Sequence, residues 1–320
     1  MPGRSIACAA LAAVVLTAAA PAPARAQLSE VGQFLATLDN HYRVVPDITY
    51  HTASGHENKL DVYAPRNADG PVPVLLLIHG GGWVIGHKDT YTMRALPYLE
   101  MGFAVVNITY RLANVALAPA AVEDCLCALR WIASNAEEYG FDASRVVITG
   151  MSAGGHLSLT TGMIPSSAGL DRQCFARTFS GPRPDDPAKV AAIVNWYGIT
   201  DVVDMLDGPN TKGYAVEWLG SLANREEVAA RVSPVTYVRQ GLPPILTIHG
   251  DDDAIVPYEH ATRLKDRLDQ VGAVNELHTI PGGGHGGFSD AETLEIYEVI
   301  HRFLARHGLV AAGGTSQQQD

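Results

Sequence analysis

The sequence predicts an α/β fold in which a mostly parallel sheet of eight strands carries helices on both faces. Strand-like apolar runs alternate with helical segments from residue 72 onward, which is typical of successive βα units. Two further strand-like runs precede this region and favour an antiparallel edge. The chain has 320 residues, 47% hydrophobic and 18% charged. These values suit one large globular domain and exclude a disordered or fibrous chain.

The predicted strands are short runs rich in apolar or β-branched residues. They cover residues 43–50, 58–63, 72–79, 103–110, 145–150, 191–197, 245–249 and 274–280. A turn around Ser54, Gly55 and His56 joins the first two. The run 72–79 is nearly continuous in apolar residues, and it therefore predicts a strand buried on both faces.

Five helices are predicted between and after these strands, at residues 89–101, 120–139, 153–163, 258–271 and 291–307. The second has apolar residues at helical spacing, among them Val122, Cys125 and Leu129, and Gly140 follows at a C-cap position. Segments 164–190 and 200–240 interrupt the alternation. We interpret them as loops or small lids near the edge where ligands bind on open α/β sheets.

The first 26 residues predict a secretory signal peptide. Arg4 supplies a positive charge, residues 6–20 are uncharged and mostly apolar, and A-R-A at 24–26 fits a cleavage site. A membrane anchor is the alternative, but a spanning helix needs about 20 apolar residues. We therefore expect a secreted or periplasmic protein without a stable membrane anchor. Its functional domain would cover residues 27–312, followed by a flexible polar tail at 313–320.

The charge balance is acidic, with 23 basic and 34 acidic residues and a formal net charge of −11. Removal of the signal takes away Arg4 and Arg25, which leaves 21 basic residues and a charge of −13. Nucleic-acid affinity comes mostly from Lys and Arg on phosphates, so the sequence argues against a nucleic-acid partner.

Three cysteines lie beyond the predicted signal: Cys125, Cys127 and Cys174. In an oxidising compartment one disulfide can persist, and Cys174 is a candidate to pair with Cys125 or with Cys127. Three buried, reduced thiols are an equal alternative.

The motif G-M-S-A-G at residues 150–154 follows a predicted strand and precedes a predicted helix. A serine on such a tight turn is held exposed, and small residues on either side let the strand and helix approach. Ser152 is therefore the candidate nucleophile. Its position before a helix also favours negative charge that develops nearby.

The motif H-G-G-G-W at residues 79–83 ends the third predicted strand. A tetrahedral intermediate needs backbone N–H groups aimed at its oxyanion, and glycines let the backbone approach without a side chain. We expect these donors to be the N–H groups of Gly81, Gly82 and Ala153. His79 is expected to shape this loop by hydrogen bonding instead of acting as a base.

A candidate acid and a candidate base follow later strands. Asp253 ends the motif H-G-D-D-D at 249–253, and His285 lies in a glycine-rich loop at 282–287. An acid that orients the histidine would hold its tautomer and stabilise its charged form. Ser152, Asp253 and His285 follow one another along the chain as serine, acid and histidine. This is the order expected when the nucleophile stands on a turn between a strand and a helix. Asp201, which also follows a strand, is the alternative acid.

Other features carry weaker hypotheses. The loop 282–287 also satisfies G-x-G-x-x-G, but no parallel strand with a terminal acid follows the next helix, so no dinucleotide cofactor is expected. No metal is expected, since His249 has no second histidine at ligand spacing. His156 is expected to pack inside a helix. Trp83, Trp196 and Tyr197 lie at strand ends and are candidates for the substrate pocket, with loop packing as the alternative.

The three motifs together resemble those of the α/β-hydrolase superfamily of serine esterases and lipases. They are most similar to secreted bacterial carboxylesterases of the acetyl-esterase and feruloyl-esterase branch, over roughly residues 43 to 309. The resemblance implies an α/β-hydrolase fold and places the acid at the fifth residue of H-G-x-x-D-x-x-V-P, here Asp253. The hormone-sensitive-lipase branch usually has an acidic residue where this chain has Met151. It also usually has an N-terminal helical cap, whereas only residues 27–42 lie between the predicted signal and the first predicted strand, so a lipase-like cap is not expected.

The resemblance implies a serine carboxylic-ester hydrolase that acts on short-chain or aromatic esters of acetyl or feruloyl type, with no cofactor. Its partner would be a small ester substrate, and its oligomeric state stays open. One alternative is an amide-cleaving hydrolase of the same fold, an arylformamidase or a prolyl-oligopeptidase-like peptidase. The other is an inactive hydrolase fold used for binding, against which the complete set of motifs argues.

Overall fold

The structure is a computed structural model that describes residues 28–175, 188–221 and 223–311. The predicted signal peptide, the polar tail and part of the segment 164–190 lie outside these residues. Contacts divide the chain into two units, Met1–Asp39 and Asn40–Asp320. Within the first unit, the described residues form most of one helix.

The described strands are β1 (Tyr42–Ala53), β2 (His56–Pro65), β3 (Val72–Ile78), β4 (Ala104–Ile108), β5 (Phe141–Met151), β6 (Val190–Trp196), β7 (Ile245–Gly250) and β8 (Asn275–Ile280). The described α-helices are α1 (Glu30–His41), α2 (Thr92–Glu100), α3 (Ala120–Ser134), α4 (Ala136–Tyr139), α5 (Ala153–Met163), α6 (Gly213–Leu219), α7 (Arg225–Arg231), α8 (Glu259–Gln270) and α9 (Asp290–Arg306).

The strands form one sheet in the order β1-β2-β4-β3-β5-β6-β7-β8. The pairs β1–β2 and β2–β4 are antiparallel, and every later pair is parallel. The predicted fold class is therefore confirmed. Because the carboxyl ends of parallel strands meet at one edge, the loops after β3, β5, β7 and β8 converge there.

Alternation along β3 explains the two helical layers. Val74, Leu76 and Ile78 are fully buried in the core that includes Leu129 and Ile132 of α3. Side chains alternate across a strand, so Leu75 and Leu77 point to the opposite face, where they are also buried. A strand buried on both faces needs helices on both sides of the sheet.

The segment 200–240 is more ordered than the sequence predicts. Its described residues contain α6 and α7, and Met205, Trp218 and Leu219 are buried in the main core. Each helix has seven residues, which is too short for helical periodicity to stand out. The sequence also missed α1.

Cys127 of α3 forms a disulfide with Cys174, one of the two pairings left open by the sequence. Cys125 is a buried free thiol, and burial raises its pKa. The disulfide joins α3 to the short helix Arg172–Phe175. Among the residues described, no helix combines the length and the apolar character needed to cross a bilayer.

Candidate active site

Ser152 occupies the sharp turn between β5 and α5. Its backbone has φ 57° and ψ −120°, a conformation that costs energy for any residue with a Cβ. The Ser152 N–H donates to the carbonyl of Trp196 at 2.9 Å. The turn is thereby fixed to the neighbouring strand β6, and the side chain stands at the edge of the sheet.

Two glycines allow this turn to form. A Cβ added to Gly150 would lie 2.5 Å from the carbonyl oxygen of Ile78, and one added to Gly154 would lie 2.2 Å from the same oxygen. Both distances are far below van der Waals contact. Only glycine at these positions lets β5 and α5 approach the end of β3.

The structure brings Ser152, His285 and Asp253 together from loops after three strands. His285 Nε2 lies 2.8 Å from Ser152 Oγ, and His285 Nδ1 lies 2.7 Å from Asp253 Oδ2. An ionised carboxylate only accepts hydrogen bonds, so Nδ1 carries the proton. Nε2 is then free to accept the proton of the Ser152 hydroxyl.

The Asp253 carboxylate is buried and densely hydrogen-bonded. Its Oδ1 accepts from the N–H groups of Ile255 and Val256 at 2.8 and 2.9 Å. Its Oδ2 faces His249 Nε2 at 3.2 Å in addition to His285. Burial by itself raises the pKa of Asp253, but the hydrogen bonds from His249, His285 and the backbone outweigh it and hold the pKa well below its usual range.

The loops that carry Asp253 and His285 are fastened to each other. The Asp252 N–H donates to the Gly283 carbonyl at 3.0 Å, and the Gly282 N–H donates to Asp251 Oδ1 at 2.6 Å. A Cβ on Gly250 would lie 2.1 Å from that Gly283 oxygen. The close backbone contact fixes the acid relative to the histidine.

The glycine turn after β3 is oriented by buried polar groups. The Gly80 carbonyl accepts from His79 Nδ1 at 2.8 Å, and the Gly80 N–H donates to the Tyr91 hydroxyl at 2.9 Å. Because the peptide unit is planar and trans, the Gly81 N–H points away from the anchored Gly80 carbonyl. Gly81 has φ 112°, and a Cβ there would lie 2.0 Å from the Ile85 carbonyl oxygen.

The N–H groups of Gly81, Gly82 and Ala153 have no hydrogen-bond acceptor within the described part of the chain. Gly81 and Gly82 line the same cleft as Ser152, and Ala153 is the first residue of α5. Free backbone donors beside a serine are the arrangement that stabilises an oxyanion.

A cleft of about 400 Å³ opens above Ser152. None of the described residues that line it is Asp, Glu, Lys or Arg. The lining residues are Gly80, Gly81, Gly82, Val84, Ile85, Tyr91, Met151, Ser152, Tyr197, Tyr214, Ile255 and His285. Tyr197 was predicted here. Tyr91 and Tyr214 were missed, because they come from segments that carry no motif. Ile255 was missed because it stands at a position where the motif H-G-x-x-D-x-x-V-P does not specify the residue.

Trp83 and Trp196 do not line the cleft, so these two predictions are wrong. Trp83 is fully buried, stacks on Trp218 at a centroid distance of 4.2 Å, and donates from Nε1 to His156 Nδ1 at 3.2 Å. Trp196 is 3% exposed and packs against Tyr297. Both face the core because the strand ends there are covered by helices.

The remaining candidates have structural positions. His156 donates from Nε2 to the Val232 carbonyl at 2.7 Å, and burial lowers its pKa to about 3. His79 stacks on Tyr110, and burial lowers its pKa to about 4. Asp201 pairs with Arg263 at 3.0 Å, away from His285. Among the described residues, no group of three His, Cys, Asp or Glu side chains is placed to hold a metal ion.

The BD-FAE family model matches residues 60–268 of the chain. "Esterase LipC" of Mycobacterium tuberculosis is 31% identical over 240 residues, which are 71% of this chain and 56% of that protein. "Probable carboxylic ester hydrolase LipM" of the same organism is 30% identical over 234 residues, 70% of this chain and 52% of that protein. The chain thus spans about half the length of these relatives.

A solved structure described as a truncated carbohydrate esterase from gut microbiota is also similar. It is 28% identical with a TM-score of 0.70, and the match covers 83% of this chain and 97% of that one.

Proposed function

Because the chain belongs to the BD-FAE family, we propose that it is a serine hydrolase of carboxylic esters. The observation that carries the proposal is the position of His285, within hydrogen-bond distance of both Ser152 Oγ and Asp253 Oδ2. The similarity to LipC, LipM and the carbohydrate esterase supports the same reaction class.

In the proposed first step, Ser152 Oγ attacks the ester carbonyl while His285 Nε2 accepts the serine proton. The carbonyl oxygen becomes an oxyanion, which the N–H groups of Gly81, Gly82 and Ala153 stabilise. His285 then gives its proton to the leaving alcohol oxygen as the carbon–oxygen bond breaks. Ser152 is left as an acyl-enzyme.

In the second step, water attacks the acyl-enzyme, and His285 accepts a proton from that water. The ester bond to Ser152 breaks, the proton returns to Oγ, and the carboxylic acid leaves. Asp253 holds the Nδ1–H tautomer of His285 throughout and stabilises the imidazolium. In this scheme His285 accepts and returns each transferred proton, while Asp253 and the backbone N–H groups stabilise the charges that develop.

We propose short-chain or aromatic acyl esters, of acetyl or feruloyl type, as substrates. The lining of the cleft supports this choice, because it combines tyrosine rings with aliphatic side chains and contains no fixed charge near Ser152. The acidic balance of the chain also disfavours acidic substrates. We further propose that the protein acts after export, as its first 26 residues suggest.

The first test is hydrolysis of a p-nitrophenyl ester series from acetate to decanoate, together with methyl ferulate, by the wild type and by Ser152→Ala. We expect hydrolysis of the short and aromatic esters and complete loss of turnover in Ser152→Ala. Equal rates for the two proteins would refute the role of Ser152. Cleavage of N-formylkynurenine or aminoacyl anilides without ester hydrolysis would support an amidase instead.

A second test separates the two candidate acids. Asp253→Asn should lower kcat by about 10³- to 10⁴-fold, because an amide no longer favours the required tautomer of His285. Asp201→Asn should keep wild-type kcat, since Asp201 pairs with Arg263 outside the cleft. The opposite pattern would move the acid to Asp201.

A further inference from the structure

His249, a buried histidine beside the site, has no role in the mechanism above. It is the fifth residue of β7, is 0% exposed, and lies four residues before Asp253. Its ring packs edge-on against Tyr197 and Tyr258 at centroid distances of 6.5 and 5.8 Å. These contacts hold the ring in one orientation.

The hydrogen bonds of His249 define its tautomer. Its Nε2 lies 2.9 Å from the Val256 carbonyl oxygen, which can only accept. Nε2 therefore carries a proton, and the Nε2 atom also lies 3.2 Å from Asp253 Oδ2, a second and longer contact of the same group. Nδ1 is buried and has no hydrogen-bond partner among the described residues, which fits a neutral ring protonated at Nε2 alone.

This N–H completes the set of contacts that fixes the Asp253 carboxylate. Backbone N–H groups hold Oδ1, while Oδ2 lies between His249 Nε2 and His285 Nδ1. Without His249, only His285 would hold Oδ2, and the charge of the His285 ring changes during the reaction because Nε2 accepts and returns a proton. The backbone N–H groups would still hold Oδ1, but Oδ2 would keep a single donor and be less firmly fixed.

We propose that His249 is a positioning residue that acts on His285 through Asp253. The expected effect on the rate rests on the proposed function, whereas the contacts of His249 with Val256 and Asp253 can be tested without turnover. His249 joins the Val256 carbonyl and the Asp253 carboxylate through one N–H, so it fixes the loop and the acid together.

A pair of amide variants tests the N–H itself. Glutamine can place its amide nitrogen where Nε2 lies, whereas the shorter asparagine reaches only the position of Nδ1. We expect His249→Asn to lower kcat about 10- to 100-fold, as small displacements of reacting groups do, with KM unchanged, and His249→Gln to retain most of the wild-type kcat. His51→Asn is the matched control, because His51 is also buried beside a carboxylate, Asp124, but away from the cleft.

Proton NMR provides a readout that needs no turnover. The hydrogen-bonded Nδ1–H of His285 should give a far-downfield resonance that His285→Ala removes. His249→Asn should shift or broaden this resonance, and His249→Gln should keep it. In the wild type, ¹⁵N shifts should show the His249 ring protonated at Nε2, a measurement that stands even where a variant does not fold.

Each outcome decides the proposal. A wild-type kcat together with an unchanged downfield resonance in His249→Asn would overturn it, and so would a wild-type His249 ring protonated only at Nδ1. Loss of activity in His249→Gln equal to that in His249→Asn would also count against it. A wild type that hydrolyses no ester would refute the proposed function alone, while the two NMR measurements still decide the position of His249.

Discussion

At the scale of single residues, the nucleophile turn leaves no room for a methyl group at Gly154. An alanine there would place Cβ 2.2 Å from the Ile78 carbonyl oxygen, a backbone atom that cannot rotate away. We expect Gly154→Ala to lower the free energy of unfolding by about 1–3 kcal/mol, the usual cost of overpacking. Urea denaturation measures this change.

Gly162→Ala in the same helix is the control for Gly154→Ala. The new Cβ would meet Ile193 Cδ1 at 2.4 Å and Ile193 Cγ1 at 2.9 Å, and both atoms belong to a side chain that can change rotamer, unlike a backbone carbonyl. Its destabilisation should therefore be clearly smaller. Helix propensity favours alanine over glycine in both variants, so equal losses would show that the rigid contact with Ile78 does not set the cost.

Residues whose chemistry depends on local backbone geometry could be predicted from the sequence. Ser152 and the glycines around it follow from a motif in which strand, turn and helix need those residue types. Trp83 follows the same kind of motif, yet its side chain faces the core. The direction of a side chain at a strand end depends on which helix covers it, and here that helix is α6, which the sequence did not predict.

At the scale of elements, α6 supports the glycine turn through its aromatic side chains. Tyr214 packs on Gly82, since a Cβ added to Gly82 would lie 3.0 Å from the Cβ of Tyr214. Trp218 stacks on Trp83. Trp83 is bonded to Gly82, and its indole N–H donates to His156 of the nucleophile helix. The segment that looked like a loop is therefore part of the support of the site.

Trp218→Ala tests this support. We expect it to lower the free energy of unfolding by about 3–5 kcal/mol, as for other buried tryptophans, and to lower the rate of ester hydrolysis per folded molecule. Trp131→Ala is the control, since Trp131 is 7% exposed on α3 and does not line the cleft. It should lose stability but keep its rate per folded molecule, and an equal fall in both rates would contradict a specific role for α6.

At the scale of the whole molecule, folding buries several histidines in their neutral form. Burial lowers the pKa of His156 to about 3 and the pKa of His79 and His260 to about 4. In the unfolded chain a histidine titrates near a pKa of about 6.5. Between these values the unfolded state binds protons that the folded state does not, so acidification favours unfolding.

The free energy of unfolding should therefore be greatest above a pH of about 6.5 and fall continuously toward a pH of about 4, where the folded-state histidines begin to titrate. Each histidine adds up to about 1.4 kcal/mol per pH unit to this slope. Carboxylates contribute mainly below this window, because their unfolded pKa values lie near about 4.

Urea denaturation at a series of pH values measures the slope of the free energy of unfolding against pH. His156→Gln should reduce it by the contribution of one group. A stability that stays constant over this range would mean that these histidines are accessible to protons in the folded protein.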